Sequence, residues 1–284
     1  MANSKHKVHF GEHLTRRQEL LRSLFVSGPG IGWVMAFLLV PLVAIVVISF
    51  WSRGTYGQLL PVWTTENYKR FLGFGVFGFD PVYPLIILRS LALGAATAAL
   101  CVAAGLPLAF FIAGLPERHR NMALTLVIIP FWTNLLIRTY AWQLLLPLGT
   151  PAVLVGMTCD YLPFLVLPLY ASVEKMDWSI AEAAQDLHAP PVRVFWHAIL
   201  PQVAPGLVAG VILVFIPATG QFVIPDLLGG AKTVMLGNAI AQQFGASRDW
   251  PFGSAIAFLG MALVMTGLWV YARAAGERAQ ETLL

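Results

Sequence analysis

The sequence predicts an all-α integral membrane protein with about six transmembrane helices. Three observations lead there. Hydrophobic residues make up 58% of 284 positions and charged residues only 11%, against roughly 25% charged in soluble domains. Apolar runs recur at the length needed to cross about 30 Å of hydrocarbon. Between them lies a polar island, Glu182 to Gly206, reading EAAQDLHAPPVRVFWHAILPQVAPG.

Residues 1–27 are polar, basic and His-bearing, as in a cytoplasmic tail or a surface-lying helix, and 28–284 read as one membrane domain. The first span is expected at 31–50. Its apolar run is longer than a signal-peptide core and no small-residue cleavage site follows it cleanly, so it reads as an uncleaved helix. Residues 51–83, rich in Gly, Pro and aromatics with a turn-like FGFGVFGFDP run, form the largest extracytoplasmic loop. Span two follows at 84–113, then a tight turn at PERHRN (116–121). Span three at 122–146 and span four at 152–173 are nearly fused; spans five and six fall at 203–228 and 252–272. Pro107, Pro130, Pro163, Pro168 and Pro217 lie inside these spans. Membrane helices tolerate such prolines where neighbours satisfy the freed backbone groups.

Lys and Arg set the orientation. Eleven of them fall on the side holding both termini and the polar island, and seven on the other. The positive-inside bias therefore places the termini and the island in the cytoplasm. The net charge of +4 reflects this topology and is not a nucleic-acid footprint. Cys101 and Cys159 both lie in apolar spans and read as packing thiols, with no disulfide framework or metal site.

The motifs of enzyme chemistry are missing. GGAKT (229–233) has the wrong spacing for a phosphate loop, and neither HExxH nor GxSxG occurs. No cofactor is expected, and ATP hydrolysis would have to come from a separate subunit. No internal repeat is visible, which weakens a secondary-transporter reading.

Within the island, Ser179 and Glu182 have the spacing of a capping box. Ile180, Ala183, Ala184 and Leu187 make one apolar stripe at helical spacing, suited to another protein's groove. Pro190 and Pro191 end this helix and start the next. Phe195 and Ile199 should face back onto the membrane helices, while Pro201 and Pro205 steer the chain into span five. The order Glu182-Ala183-Ala184, Asp186-Leu187, Ala189, Phe195, Ile199, Leu200-Pro201, Pro205-Gly206 resembles the signature loop of bacterial ABC-importer permeases. That resemblance implies a type I, MetI-like permease fold. It also implies that the loop 174–200 forms two short helices seated in a cleft of the ATPase subunit. His188 stands where the family carries Gly, at a turn that favours positive φ.

PFWTNLLIRTYAW (130–142), DYLPFLVLPLYASVEKMD (160–177) and FIPATGQFVIPDLLGG (215–230) resemble permeases of spermidine/putrescine importers. Between Trp142 and Thr150 the chain is shorter than the family pattern. The resemblance implies a bacterial inner-membrane protein and four kinds of neighbour. These are two copies of an ABC ATPase, a second homologous permease, an extracytoplasmic polyamine-binding protein and the bilayer.

Polyamines are multiply charged cations, so their path needs carboxylates and aromatic faces. The candidates are Asp160, Tyr161, Glu174, Asp226, Trp132, Tyr140 and Trp142. Asp160 is foremost, because an acid in mid-span usually faces a cavity or a substrate route. Each has a competing reading. Asp160 can pair with Arg89 or Arg138, Asp226 can cap a helix, Glu174 can be an interface charge, and the aromatics can be interfacial anchors. Gln221 occupies a place where the family often suggests an acid. Two alternatives stand beside the polyamine importer: a permease of the same fold for ferric ion, thiosulfate or sugar, and an ion-gradient transporter in which Asp160 binds a proton.

Overall fold

The computed structural model describes residues 16–75, 78–230 and 233–281. Among these, five helical stretches are long and apolar enough to cross a membrane. They are Gly28–Ser49 within α1 (Arg16–Ser49), α3 (Val82–Ala113), α6 (Thr150–Glu174), Pro191–Thr219 ending in α9 (Leu200–Thr219), and Trp250–Trp269 within α12 (Trp250–Glu281). Helix α1 continues without a break from Arg16 into the first span, so residues 16–27 are not a separate element. Residues 1–15 of the expected tail lie outside the described residues.

Span three departs from expectation. Residues 122–146 do not form one straight helix: α4 (Glu117–Trp132) and α5 (Leu135–Leu145) meet at 90°. The cause is local. Thr133 and Asn134 are extended, and the Asn134 side chain accepts from the Leu136 N–H at 2.8 Å, capping a new helix. The Thr133 hydroxyl meanwhile donates to the Pro130 carbonyl at 2.6 Å. Four residues, 146–149, then lead from α5 into α6.

Span five is corrected as well. Helix α9 stops at Thr219, and the Gln221 side chain accepts from the Phe222 and Val223 N–H groups to start a separate short helix, α10 (Val223–Leu228). After α10 the chain makes α11 (Leu236–Phe244) before the last span.

Helix α6 is the centre of the bundle, packed on α9 and α3. Glycines set these distances. A Cβ on Gly206 would lie 2.2 Å from Ser172 Oγ and 2.4 Å from the Pro168 carbonyl, so α9 touches α6 backbone to backbone there. With no hydrophobic gain from leaving lipid, close packing of this kind is what holds membrane helices together. The core is a continuous apolar cluster that includes Cys101, Met157, Leu165, Leu169, Val203 and Val214. Helix α1 packs on α12 at the bundle's side.

The 51–80 loop is ordered by two small antiparallel pairs and one helix. Strand β1 (Ser52–Arg53) pairs with β2 (Leu59–Leu60), and β3 (Phe74–Gly75) with β4 (Gly78–Phe79), with α2 (Glu66–Phe71) between. A second apolar cluster, Phe71, Leu236, Phe252 and Ile256, joins this loop to α11 and α12.

Candidate functional site

Two places combine chemistry with geometry. The first is the break between α4 and α5. Arg138, one turn into α5, reaches across to Asp160 in the middle of α6 and forms an ion pair with Oδ1. Its other terminal nitrogen donates to the Pro130 carbonyl at the end of α4. One guanidinium thus holds three helices at the joint. The side chains are 16% and 12% exposed, so the pair lies at the rim of the core. Of the two partners expected for Asp160, Arg138 makes the pair.

Tyr161, beside the acid, is buried in the core and receives a hydrogen bond from Gln221 Nε2 at 3.0 Å. That bond ties α6 to the start of α10. Phe131 meets Phe164 edge-on at 5.2 Å, and Phe164 lies 6.1 Å from Tyr161. Phe131, Phe164 and Tyr161 therefore form one aromatic cluster between α4 and α6. Sequence reasoning named only Tyr161 of these. Among the other expected aromatics, Trp132 is 84% exposed on α4, Tyr140 is also exposed, and Trp142 packs against the main core.

Glu174 does not join Asp160. It ends the same helix fourteen residues on, about 21 Å away at roughly 1.5 Å per residue. It accepts from Arg120 at 3.0 Å and from the Tyr170 hydroxyl at 2.8 Å. Asp226 is exposed on α10, with its backbone N–H bonded to the Phe222 carbonyl.

The second place is the polar island. It folds as α7 (Trp178–Asp186), α8 (Pro191–Val194) and a π-helical turn, Phe195–Ile199. Asp177 is the N-cap, accepting from the Ser179 N–H at 3.0 Å. The expected Ser179–Glu182 capping box does not form, because the helix starts ahead of Ser179 and leaves it inside the first turn. Hydrogen bonds from the Ser179 side chain and backbone hold the Asp177 carboxyl below its ordinary range.

At the other end of α7, His188 adopts φ 60° and the Ala189 N–H closes on the Ala184 carbonyl at 3.2 Å. This is a Schellman-type stop, which usually carries Gly at its left-handed position. Positive φ at His188 is as the motif predicts. Pro190 then caps α8 and Pro191 opens it.

Pro201 lacks an N–H and its ring crowds the carbonyl four residues back. The wide π turn just before α9 relieves that clash. Gln202 then locks the base of the loop. Its amide accepts from the Asp177 N–H at 3.0 Å and donates to the Ala198 carbonyl at 2.9 Å.

The loop has two faces. Inward, Ala181, Val194 and Ala198 form a small core, with Ala184, Ala189 and Ile199 packed on it. Trp178 and Phe195 each meet Phe110 of α3 at 6.5 Å between ring centroids. Outward, Ile180, Ala183, Leu187, Val192 and Trp196 are exposed, as are Glu182 and Asp186. Of the four-residue stripe expected on α7, Ala184 turns in and the other three turn out. Phe195 and Ile199 face the bundle as expected. Phe110 and Gln202 were not legible as anchors, because their partners lie on other elements.

No family model matches the chain. The chain is similar to the spermidine/putrescine transport system permease protein PotB of Escherichia coli (strain K12), with 38% identity over 266 residues, covering 86% of this chain and 94% of PotB. Two solved structures share its fold. One is a bacterial ABC transporter involved in the import of the acidic polysaccharide alginate, with a TM-score of 0.67, 18% identity, and coverage of 93% of this chain and 99% of that chain. The other is a bacterial alginate ABC transporter in complex with alginate pentasaccharide-bound periplasmic protein, with a TM-score of 0.52, 14% identity, and coverage of 88% and 91%. The multi-pass bundle and identity at this level along most of both chains lead to one conclusion: the chain belongs to the spermidine/putrescine transport permease family.

Proposed function

We propose that this chain is the transmembrane permease subunit of an ATP-driven importer for spermidine and putrescine. The single observation that carries the reading is the exposed loop from Trp178 to Ile199, built on a chain 38% identical to PotB. Its outer face presents apolar side chains together with Glu182 and Asp186, while its base is clamped to α3 by Phe110 and to α9 by Gln202. An exposed apolar helix face on a rigid base suits docking into a partner's groove.

In this reading the loop 174–200 seats in the ATPase, with Glu182, Ala183, Ala184, Asp186, Leu187, His188, Ala189, Phe195 and Pro201 forming or shaping the contact. Two ATPase copies, a second permease and an extracytoplasmic polyamine-binding protein complete the transporter. Both termini and the loop lie in the cytoplasm, and ATP is hydrolysed only by the partner. Movement of the loop reaches α6 and α9 through Gln202 and Asp177, which stand at their junction with it. Asp160 and the aromatic cluster between α4 and α6 line the substrate path, and the role of Glu174 and Asp226 is to keep its ends attractive to cations.

Reconstitution in liposomes with the partner ATPase, second permease and binding protein tests this. Spermidine or putrescine should stimulate ATP hydrolysis, and Leu187→Asp should abolish the stimulation. Stimulation by an anionic or neutral solute alone, or ATP hydrolysis by the isolated chain, would overturn the reading.

A further inference from the structure

We infer that Arg138 is a resident competitor for the cation site: its guanidinium occupies, on Asp160, the place that a polyamine ammonium takes during transport. The inference rests on the polyamine reading above and adds a specificity-determining residue to it.

Charge comes first. With Arg138 paired to Asp160, the joint carries no net negative charge toward the path. A cation can gain the carboxylate only by displacing the arginine. At 16% and 12% exposure the pair is open enough to be reached, yet too dry for a carboxylate to stand alone cheaply. Exchange of one cation for another keeps the acid paired throughout.

Geometry supplies the second support. The guanidinium has a second seat, because it also donates to the Pro130 carbonyl at the end of α4. Helix carboxyl ends attract cations through the negative end of the dipole, and the Pro130 carbonyl takes the guanidinium alongside its bond from Thr133. Five N–H donors allow one contact to persist while the other is released. Displaced from Asp160, Arg138 stays on α4 at the 90° break, where a small swing changes how α4, α5 and α6 are joined. Phe164 lies one turn beyond Asp160 on α6 and meets Phe131 of α4 edge-on at 5.2 Å, so aromatic rings stand on the same helices as the exchange.

The consequence is selectivity. A neutral or anionic solute brings nothing that can take the place of Arg138, so the pair stays closed to it.

The test uses the full reconstituted complex, with assembly checked by size-exclusion chromatography and spermidine-dependent ATP hydrolysis as the readout. When a bound competitor is removed, apparent affinity rises by the reciprocal of the fraction of sites it had left free, about tenfold if it left one in ten. Arg138→Gln should therefore lower the KM for spermidine roughly tenfold. Asp160→Asn should raise it, and in the double variant the Arg138 change should have no further effect on KM. A purely structural pair behaves differently: Arg138→Gln would leave KM unchanged or raise it, and the double variant would recover what each single change had lost. That result overturns the inference. If Arg138→Gln does not assemble, Arg138→Lys carries the test, since a single-point ammonium holds both seats less well. Its KM should fall about threefold by the same relation, and an unchanged or raised KM counts against the proposal. Failure of the unmodified complex to respond to any polyamine would instead sink the polyamine reading, so the two failures are distinct.

Discussion

Arg70 Nη1 lies 2.8 Å from Asp249 Oδ2, joining two residues 179 positions apart. The Asp249 side chain is only 3% exposed, and Arg53 approaches the same oxygen at 3.8 Å. Its other oxygen accepts from the Phe252 N–H at 3.3 Å, so Asp249 also caps α12. The Arg70 guanidinium sits 4.0 Å above the Phe252 ring. One acid thus clasps the 51–80 loop to the start of the last span.

This clasp should be asymmetric. Arg70→Ala removes the close partner of a buried carboxylate and should destabilise the corner by about 1–3 kcal/mol. Arg53→Ala removes a longer, half-exposed contact and should cost about 0.5 kcal/mol or less. Thermal unfolding of the detergent-solubilised protein, with protease sensitivity of the 51–80 loop, separates the two. Equal effects would show that the 2.8 Å contact does not dominate.

Gly206 is the tightest point between α6 and α9. A Cβ there meets Ser172 Oγ at 2.2 Å and the Pro168 carbonyl at 2.4 Å, and the carbonyl cannot rotate away. Gly206→Ala should force the helices apart and cost about 1–3 kcal/mol. Gly267 on α12 has nothing within 4 Å of its would-be Cβ, so Gly267→Ala should leave the folded yield unchanged. Yields of monodisperse protein from membranes, compared side by side, check both.

His188 holds φ 60° at the turn after α7. A non-glycine residue in that region carries about 1 kcal/mol of strain or more. His188→Gly should therefore stabilise the loop by about 0.5–1 kcal/mol, and His188→Val should destabilise it by at least as much. Hydrogen exchange of the α7 amides in the assembled transporter reads the change. Slower exchange with Gly and faster exchange with Val is the expected pattern.

Several of these features were legible in the sequence and others were not. The loop was, because its signals are local: Pro190 and Pro191 restrict their own backbone, and the turn before them demands left-handed geometry whatever surrounds it. The helix break at Thr133-Asn134 was missed, although both residues are polar inside an apolar run, because hydropathy averages over the window that contains them. The capping box at Ser179 and Glu182 was misplaced by the same kind of competition, since Asp177 offers an equally good cap two residues earlier. Phe131 and Phe164 could not be selected, as nothing local marks which aromatics will meet.

Composition, run length and the positions of Pro and Lys/Arg by themselves determined that the chain is a multi-pass helical bundle with a structured polar loop. Those properties follow from each segment's exchange with lipid and water, which depends on that segment alone. The tertiary structure alone decided that Arg138, rather than Arg89, meets Asp160, that Arg70 meets Asp249, and that α6 is central. Such pairings depend on the angle at one helix break and on close approach at one glycine. A charge finds its partner through the space the fold leaves it, and no single segment contains that space.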